Sequence, residues 1–253
     1  MKFLAVLFFL LAAAGGYALS ERELDSIGRR VWQNECGGTR DGLTSWNAGE
    51  DFASLGIGHF IWYPKGVRGP FEESFPPLVR FLEANGAKLP GWLKAGDPCP
   101  WRTRAEFEAE FRGEKLGALR ALLAGTIRLQ ARFLAQRMEQ ALPKMLEAAP
   151  AGEREKVRAQ FQRLAGSGAG TFALIDYVNF KGEGTKESER YRGEGWGLLQ
   201  VLAAMRGSGA GGAREFGESA AAVLTRRVRN APPERHEERW LAGWKGRVRA
   251  YGE

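Results

Sequence analysis

The chain has 253 residues and a formal net charge of +7, with 44% hydrophobic and 26% charged residues. These proportions are ordinary for a globular protein, and the length allows one sizeable core or two small ones. Tryptophan is the exception, because its 8 copies suit a core but also suit a cleft that stacks sugar rings. The chain has only two histidines and lacks C-x-x-C spacing, a Walker loop and a dinucleotide fingerprint, so we predict no metal site and no cofactor.

The first 20 residues have the features of a signal peptide. A short basic start precedes an apolar run from Phe3 to Ala14, and Ala18 and Ser20 provide small residues at the positions that signal peptidase reads. The run is short for a membrane span, although a retained N-terminal anchor is the alternative. We therefore expect an exported protein, periplasmic or secreted, that begins near Glu21, has no stable membrane span and is monomeric.

Export also constrains the partner and the cysteines. A basic exported protein fits an anionic cell-envelope polymer, and export argues against nucleic acid as the partner. Cys36 and Cys99 are the only cysteines, and an even, small number in an exported protein suggests one disulfide. Such a bridge would tie a proline-rich loop to the residue beside Glu35.

The stretch from Glu21 to Asn34 is predicted to form an amphipathic helix, because its apolar residues recur at helical spacing. Two glycines, Gly37 and Gly38, end this helix, so Glu35 falls in its last turn on or beside the buried stripe. A carboxylate there loses hydration, which suits a general acid. The alternative is an exposed glutamate. However, the helix dipole disfavours a negative charge at that end, so the position needs another reason.

The rest of the chain changes from strand to helix. Strands are predicted over residues 43–46 and 54–63, joined by a turn over 47–51. Glycines alternate on one face of the second strand, which allows another backbone or a ligand to approach closely. Residues 65–102 are rich in proline and loops, and residues 103–253 are mainly helical. These features predict a single α+β domain over 21–253, mostly α, in which a hairpin and loop region (21–102) precedes a helical region (103–253).

Three stretches together resemble the phage-type lysozymes. Glu35 at a helix end, followed by Ser54-Leu55-Gly56-Ile57-Gly58-His59, is similar to that family's catalytic glutamate and its T-I-G-x-G-H strand. The stretch from Ala173 to Gly182 is similar to an apolar helix that ends in an F-N-x-G turn. Residues 227–251 are similar to the terminal helix pair, in which an arginine after an Asn-to-Pro turn approaches the catalytic glutamate.

The resemblance implies a lysozyme-like fold, in which a small β-hairpin lobe faces a helical bundle across a cleft. It also implies cleavage of β-1,4 bonds in peptidoglycan, with Glu35 as the general acid. The family usually has an Asp on the first hairpin strand, where this chain has Trp46 and Asn47. Glu50 is therefore the expected second carboxylate, acting with Ser54. An equally weighted interpretation of Glu50 is a solvated turn acid.

The other predicted site residues are assigned to substrate binding. Arg235 follows the Asn-to-Pro turn and is expected beside Glu35. The residues predicted to contact the sugar chain are His59, Asn179, Trp196, Gln200 and Arg235. For His59 a structural role beneath the hairpin is preferred to a catalytic one, and Trp196 can equally belong to the core.

Two other functions stay open. The segment from Trp196 to Gln200 is faintly similar to the G-L-M-Q segment of lytic transglycosylases, in which a single glutamate acts first as acid and then as base. The absence of the family's Asp also allows a non-catalytic, exported glycan-binding protein of the same fold.

Overall fold

The computed structural model describes residues 19–253, and the chain there is mostly helical with a small antiparallel sheet. The predicted α+β class with a predominance of helix is therefore confirmed. The predicted signal peptide lies outside the described residues, apart from Leu19 and Ser20. Between residues 19 and 253, no helix has both the length and the apolar character that crossing a bilayer requires.

The described elements follow one another with short connections except between the sheet and the third helix. The helices are α1 (Glu21–Cys36), α2 (Phe75–Ala84), α3 (Arg104–Ala109), α4 (Glu114–Gly125), α5 (Ile127–Ala148), α6 (Arg154–Ala165), α7 (Gly168–Lys181), α8 (Leu198–Ala204), α9 (Gly212–Asn230) and α10 (Glu238–Arg249). The strands are β1 (Thr44–Ser45), β2 (Ala53–Leu55), β3 (Phe60–Trp62), β4 (Arg190–Tyr191) and β5 (Glu194–Gly195).

Helix α1 forms as its sequence predicts and carries Glu35 in its last turn. Its apolar stripe is buried, and Ser20 caps its start in a capping box with Glu23. The predicted mature chain, which begins at Glu21, would lack this cap. At the other end Gly37 adopts a left-handed backbone with φ of 60°, a conformation that glycine takes at little cost.

The sheet corrects the prediction of one long strand over 54–63. The strands β1, β2 and β3 form an antiparallel sheet in that order, and a tight turn over residues 56–59 separates β2 from β3. Gly56 has φ of 69°, and His59 has φ of 48°, which is unusual for a residue with a side chain. The chain therefore reverses at the glycines instead of extending through them.

A buried glutamine explains why this turn needs glycine. The Gln130 side chain on α5 accepts a hydrogen bond from the Ile57 amide at 3.0 Å and donates to the Leu123 carbonyl at 2.7 Å. A Cβ atom on Gly56 would collide with the Gln130 oxygen, and one on Gly58 would lie 2.8 Å from the Phe60 ring. The close approach that the glycines allow is therefore to α5 and Phe60 and not to a ligand.

The proline-rich region between the sheet and α3 is braced by aromatic side chains. Trp62 packs against Phe75, Trp92 and Trp101, with ring centroids 4.8, 6.5 and 6.4 Å away. Its indole nitrogen also donates to the Asp97 carbonyl at 2.9 Å. These tryptophans thus belong to the core and not to a sugar-stacking surface.

The two cysteines do not form the predicted disulfide. Both are free and buried. The Cys36 thiol points at the Gly56 carbonyl, 3.5 Å away, while the Cys99 backbone pairs with the chain after β3 by donating to the Tyr63 carbonyl at 2.9 Å. Each thiol occupies its own part of the core, and burial raises both pKa values to about 12.

The thiols give the first testable prediction. In the native protein, Cys36 and Cys99 should both resist a thiol reagent such as DTNB, because burial keeps them in the unreactive thiol form. Both should react at once after unfolding in guanidinium. A reductant should leave the melting temperature unchanged, whereas a native disulfide detected by mass spectrometry would contradict the structure.

Candidate functional site

Glu35 lies where α1, the glycine turn, α7 and α10 meet. Its side chain is 13% exposed and has contacts from three elements. Arg247 of α10 donates to Oε1 at 2.5 Å, and Asn179 of α7 donates to the same oxygen at 3.4 Å. The Nδ1 atom of His59, from the glycine turn, lies 3.6 Å from Oε2. The predicted site residues that come together around Glu35 are therefore His59 and Asn179.

A second carboxylate, that of Asp176, organises the inner side of the site. Asp176 is fully buried on α7 and accepts hydrogen bonds from Arg247 Nε and Nη2, each at 2.8 Å. It also accepts from the Tyr251 hydroxyl at 2.6 Å and from Asn34 Nδ2 at 3.1 Å. A buried carboxylate needs such compensation, because losing its water shell without partners is costly. The two hydrogen bonds to Arg247 hold its guanidinium in the orientation that reaches Glu35.

The pKa of Arg247 reflects this arrangement. Burial alone would lower it, but the hydrogen bonds and charge of Asp176, with the charge of Glu35, raise it above its ordinary value. The guanidinium therefore stays charged at any pH of interest. Its flat face also rests on the Phe180 ring, 4.1 Å from the ring centroid. Glu35 thus has a permanent cation as its nearest partner.

His59 faces the outer oxygen of Glu35, with its Nδ1 atom 3.6 Å from Oε2. Burial lowers its pKa, and this effect outweighs the opposing influence of the Glu35 charge and the Gly42 carbonyl. The residue also occupies the left-handed backbone region, which costs on the order of 1–3 kcal/mol for a side-chain-bearing residue. Gln130 fixes the surrounding turn to α5, and the fixed turn holds His59 in this conformation.

A lysine beside the site has no counterpart in the sequence-based prediction. The Lys181 amine, at the end of α7, lies 3.5 Å from the Trp244 ring centroid and 3.9 Å from that of Phe180. Burial lowers its pKa to about 6, and the nearby Arg227 and Arg247 lower it as well. The electron-rich ring faces favour the ammonium form and offset part of this effect.

Trp196 belongs to the core and does not face the Glu35 site. It is 7% exposed, its ring lies 4.5 Å from that of Tyr191, and the Arg227 guanidinium covers it at 4.1 Å. Its carbonyl accepts from the buried Tyr177 hydroxyl at 2.8 Å. The prediction left both roles open for Trp196, and the structure places it in the core.

Gln200 has a structural role that its sequence position did not indicate. Its side-chain oxygen accepts from the Gly197 amide at 2.9 Å, and its nitrogen donates to the Gly184 carbonyl at 2.9 Å. Both ends of the amide are thus engaged in joining the loop after α7 to the start of α8. No part of it contacts Glu35, so the prediction that Gln200 binds sugar finds no support in these contacts.

The arginine beside Glu35 is Arg247, and the prediction of Arg235 for that place was wrong. Arg235 lies in the short turn before α10, is exposed, and donates to the Tyr191 hydroxyl at 3.3 Å. Arg247 follows Trp244 by three residues and lies on the same face of α10, and this face continues towards Tyr251. Arg247 reaches Glu35 because that face is turned towards it. The helix face, and not the preceding turn, presents the cation.

The two other predicted catalytic residues are placed apart from the contacts of Glu35. Glu50 ends the β1–β2 turn, where its carboxylate accepts from Asn47 Nδ2 at 3.0 Å. Burial raises its pKa, and the Asn47 hydrogen bond partly opposes this. Ser54 is 3% exposed at the centre of the sheet, paired in register with Ser45 and Ile61. In the described part of the chain, neither side chain contacts Glu35.

Three residues of the site were missed from the sequence, although two carried a signal. Asp176 is an acid inside an otherwise apolar helix, and such a residue needs a buried partner. The spacing of Trp240, Trp244, Arg247 and Tyr251 places them on one face of the last helix. Lys181 had no signal of its own, because a lysine at the end of a helix is ordinarily a solvated charge near the negative end of the dipole.

One surface depression lies away from this cluster. It has a volume of about 370 Å³ and is lined by residues of α1, α4 and α5, namely Asp25, Arg29, Trp32, Ala124, Gly125, Ile127 and Arg128. It contains none of the residues around Glu35. The chemistry of the buried carboxylates, and not the size of a cavity, therefore singles out the Glu35 cluster as the candidate site.

Comparisons of the chain with protein-family models, curated proteins and solved structures find no match.

The network around Asp176 predicts a loss of stability on a minimal change. Asp176→Asn should cost roughly 3 kcal/mol of unfolding free energy, because the amide group turns a donor towards Arg247 and leaves a buried cation poorly compensated. Denaturation in urea measures this. Asp51→Asn, an exposed change of the same type, should stay within about 0.5 kcal/mol of the wild type. Equal effects of the two changes would show that the network is not stabilising.

Replacing Lys181 should stabilise the folded protein by an amount that depends on pH. Its pKa is about 6 in the folded protein against an ordinary value of 10.5, so folding is penalised in full below pH 6 and the penalty shrinks as pH rises towards 10.5. Lys181→Met removes the titrating group and should raise the melting temperature by roughly 2–4 °C or more at pH 5. The gain should decline steadily between pH 6 and pH 9. A gain that does not vary with pH would contradict a buried, shifted lysine.

Proposed function

We propose that this protein is a lysozyme-like glycosidase that cleaves β-1,4 bonds in peptidoglycan outside the cytoplasm, with Glu35 as the general acid. The single observation that carries the proposal is the constrained carboxylate at the end of α1. It faces a glycine turn on one side and a helical cluster on the other. The resemblance of the Glu35, Ser54–His59 and α7 stretches to phage-type lysozymes supports the same assignment.

The contacts of Glu35 suit an acid that must keep one orientation. Arg247 and Asn179 hold Oε1 on the inner side, which leaves Oε2 on the side of His59 to approach a ligand. A general acid works only if its proton lies within hydrogen-bond reach of the leaving oxygen. Glu35 would protonate the glycosidic oxygen as the bond to the anomeric carbon breaks, and positive charge would develop on the sugar ring.

A second reaction, lytic transglycosylation, is favoured by the surroundings of Glu35. The neighbouring carboxylate, Asp176, is fully buried and already accepts hydrogen bonds from three residues. Glu50 is bonded to Asn47 and does not contact Glu35. If no second carboxylate assists, Glu35 acts as acid and then as base. It would accept a proton from a hydroxyl of the same sugar, which closes an internal 1,6-anhydro ring and needs no water.

The assignment of Glu35 is tested with purified peptidoglycan in a turbidity assay. Glu35→Gln should reduce the clearing rate by at least about a hundredfold, the usual contribution of a general acid. Glu50→Gln is the matched comparison, since it makes the same change on the β1–β2 turn. Undiminished clearing by Glu35→Gln would refute the proposal, and binding of peptidoglycan without any release by the wild type would favour a non-catalytic glycan-binding protein.

Mass spectrometry of the released fragments separates the two reactions. Hydrolysis yields a free reducing end, whereas transglycosylation yields a 1,6-anhydro ring that is lighter by one water. A reducing end together with a large loss in Glu50→Gln would assign Glu50 the second role. An anhydro product with an active Glu50→Gln would assign the reaction to Glu35 alone.

A further inference from the structure

Lys181 carries a partly buried amine with no anion of its own. It ends α7, one residue after Phe180, and its amine rests on the faces of Phe180 and Trp244 at 3.9 and 3.5 Å. Within residues 19–253, no carboxylate lies within ion-pair distance of it, although Arg227 and Arg247 beside it each have one. Burying a cation without a counter-charge is unfavourable, so this position calls for an explanation.

The charged groups that face Lys181 come from α1, α9, α10 and the turn before α10. Two of them are cations, Arg227 on α9 and Arg247 on α10, and two are acids, Glu35 on α1 and Glu237 before α10. Both acids are already engaged. Arg227 binds Glu237 at 2.7 and 2.8 Å, and Arg247 binds Glu35 at 2.5 Å. Lys181 is thus the one basic group of this cluster that has no carboxylate partner in the described structure.

The aromatic side chains extend this cluster from Glu35 to the surface. Along one face of α10, Arg247 is followed outwards by Trp244 and then Trp240, whose rings stack with centroids 5.9 Å apart. Trp240 is 43% exposed, and the Arg239 guanidinium lies 4.3 Å from its ring centroid. The surface that leads outwards from Lys181 over Trp244 and Trp240 therefore combines aromatic rings with positive charge, a combination that suits a sugar chain carrying acidic groups.

We propose that Lys181 is the specificity-determining residue of the Glu35 site and binds a carboxylate on the sugar chain, so that the site prefers an acidic amino-sugar polymer to a neutral one. This inference rests on the proposed function, which it deepens by stating the chemistry of the substrate. The bound carboxylate supplies the counter-charge that no residue of the described chain provides to Lys181.

The inference has a thermodynamic signature that a purely structural lysine would not produce. Near pH 7 the amine is mostly unprotonated in the free protein, since its pKa is about 6. A bound carboxylate favours the ammonium form, so binding must take up a proton. Affinity for the acidic ligand should consequently fall as pH rises above 6, while affinity for a neutral ligand should not follow this dependence.

The experiment is calorimetric titration in the Glu35→Gln background, which prevents turnover during the measurement. Two ligands of equal length are compared: a neutral N-acetylglucosamine oligomer, and an oligomer in which alternate rings are N-acetylmuramic acid and carry a carboxylate. Lys181→Met removes the amine and preserves the apolar side chain between the two rings. Lys144→Met is the matched control, because Lys144 is exposed and already paired with Glu183 at 2.9 Å.

Lys181→Met should weaken binding of the acidic oligomer by roughly tenfold to a hundredfold, the range expected for a charge-assisted hydrogen bond. It should change binding of the neutral oligomer by less than about twofold, and Lys144→Met should change neither by more. Titrations in buffers of different ionisation enthalpy should show proton uptake with the acidic oligomer, and Lys181→Met should abolish that uptake.

Three results would overturn the inference: unchanged binding of the acidic oligomer by Lys181→Met, an equal loss for both oligomers, or proton uptake that persists without Lys181. The proposed function fails separately. If the wild type releases nothing from peptidoglycan while acidic binding still depends on Lys181, the glycosidase assignment falls and the binding role stands. If the wild type cleaves acidic and neutral chains equally well, the glycosidase assignment stands and the binding role of Lys181 falls.

Discussion

The buried pair of Arg247 and Asp176 is the interaction on which the candidate site depends. It joins α10 to α7, and through Asn34 and Glu35 it also ties both helices to the end of α1. Taking two opposite charges out of water costs several kcal/mol per ion, and the cost is repaid only if the geometry is good and the remaining hydrogen-bonding capacity is used. Here both nitrogens that face Asp176 are used, and Tyr251 and Asn34 complete its shell. This network fixes the orientation of Glu35, because rearranging it would cost considerable free energy.

The other side of the site depends on a different constraint, the attachment of the glycine turn to α5. Gln130 holds the Ile57 amide at 3.0 Å and is itself fully buried. Because glycine leaves room for that side chain, the turn can lie against the helix, and His59 is brought over Glu35. The site is thus assembled between a rigid polar network and a rigid turn. Chemistry at Glu35 would require that neither of them move far.

Some of the site was predictable because it is encoded over a few neighbouring residues. The period of Leu24, Ile27 and Val31 predicts α1, and the glycines after Cys36 end it, so Glu35 had to fall in the last turn. His59 and Asn179 were predicted to contact the sugar chain, and the structure places both in contact with Glu35. The predominance of helix and the small sheet were also predicted, since both follow from local patterns.

Local patterns did not decide the assignments in which several groups compete for the same partner. Gln200 carries a polar group that either a ligand or the backbone can satisfy, and the backbone of Gly184 and Gly197 lies closer. The even number of cysteines and the expected export of the protein both favoured a disulfide. A disulfide nevertheless requires particular Cβ positions, which composition does not reveal. The strand over 54–63 has the right residues for an extended chain, but Gln130 stabilises a turn within it.

The sequence by itself therefore determined the predominance of helix, the presence of a small sheet and the position of the acid in α1, because periodicity, caps and glycines act within a turn or two of the chain. Only the tertiary structure decided which groups surround that acid. Arg235 and Arg247 are both arginines near the end of the chain, and they differ only in the direction in which α10 presents them. Whether Lys181 is a solvated charge or a buried amine likewise depends on where Trp244 and Phe180 pack. Such choices are made by packing between distant segments, which leaves no mark in the local pattern of residues.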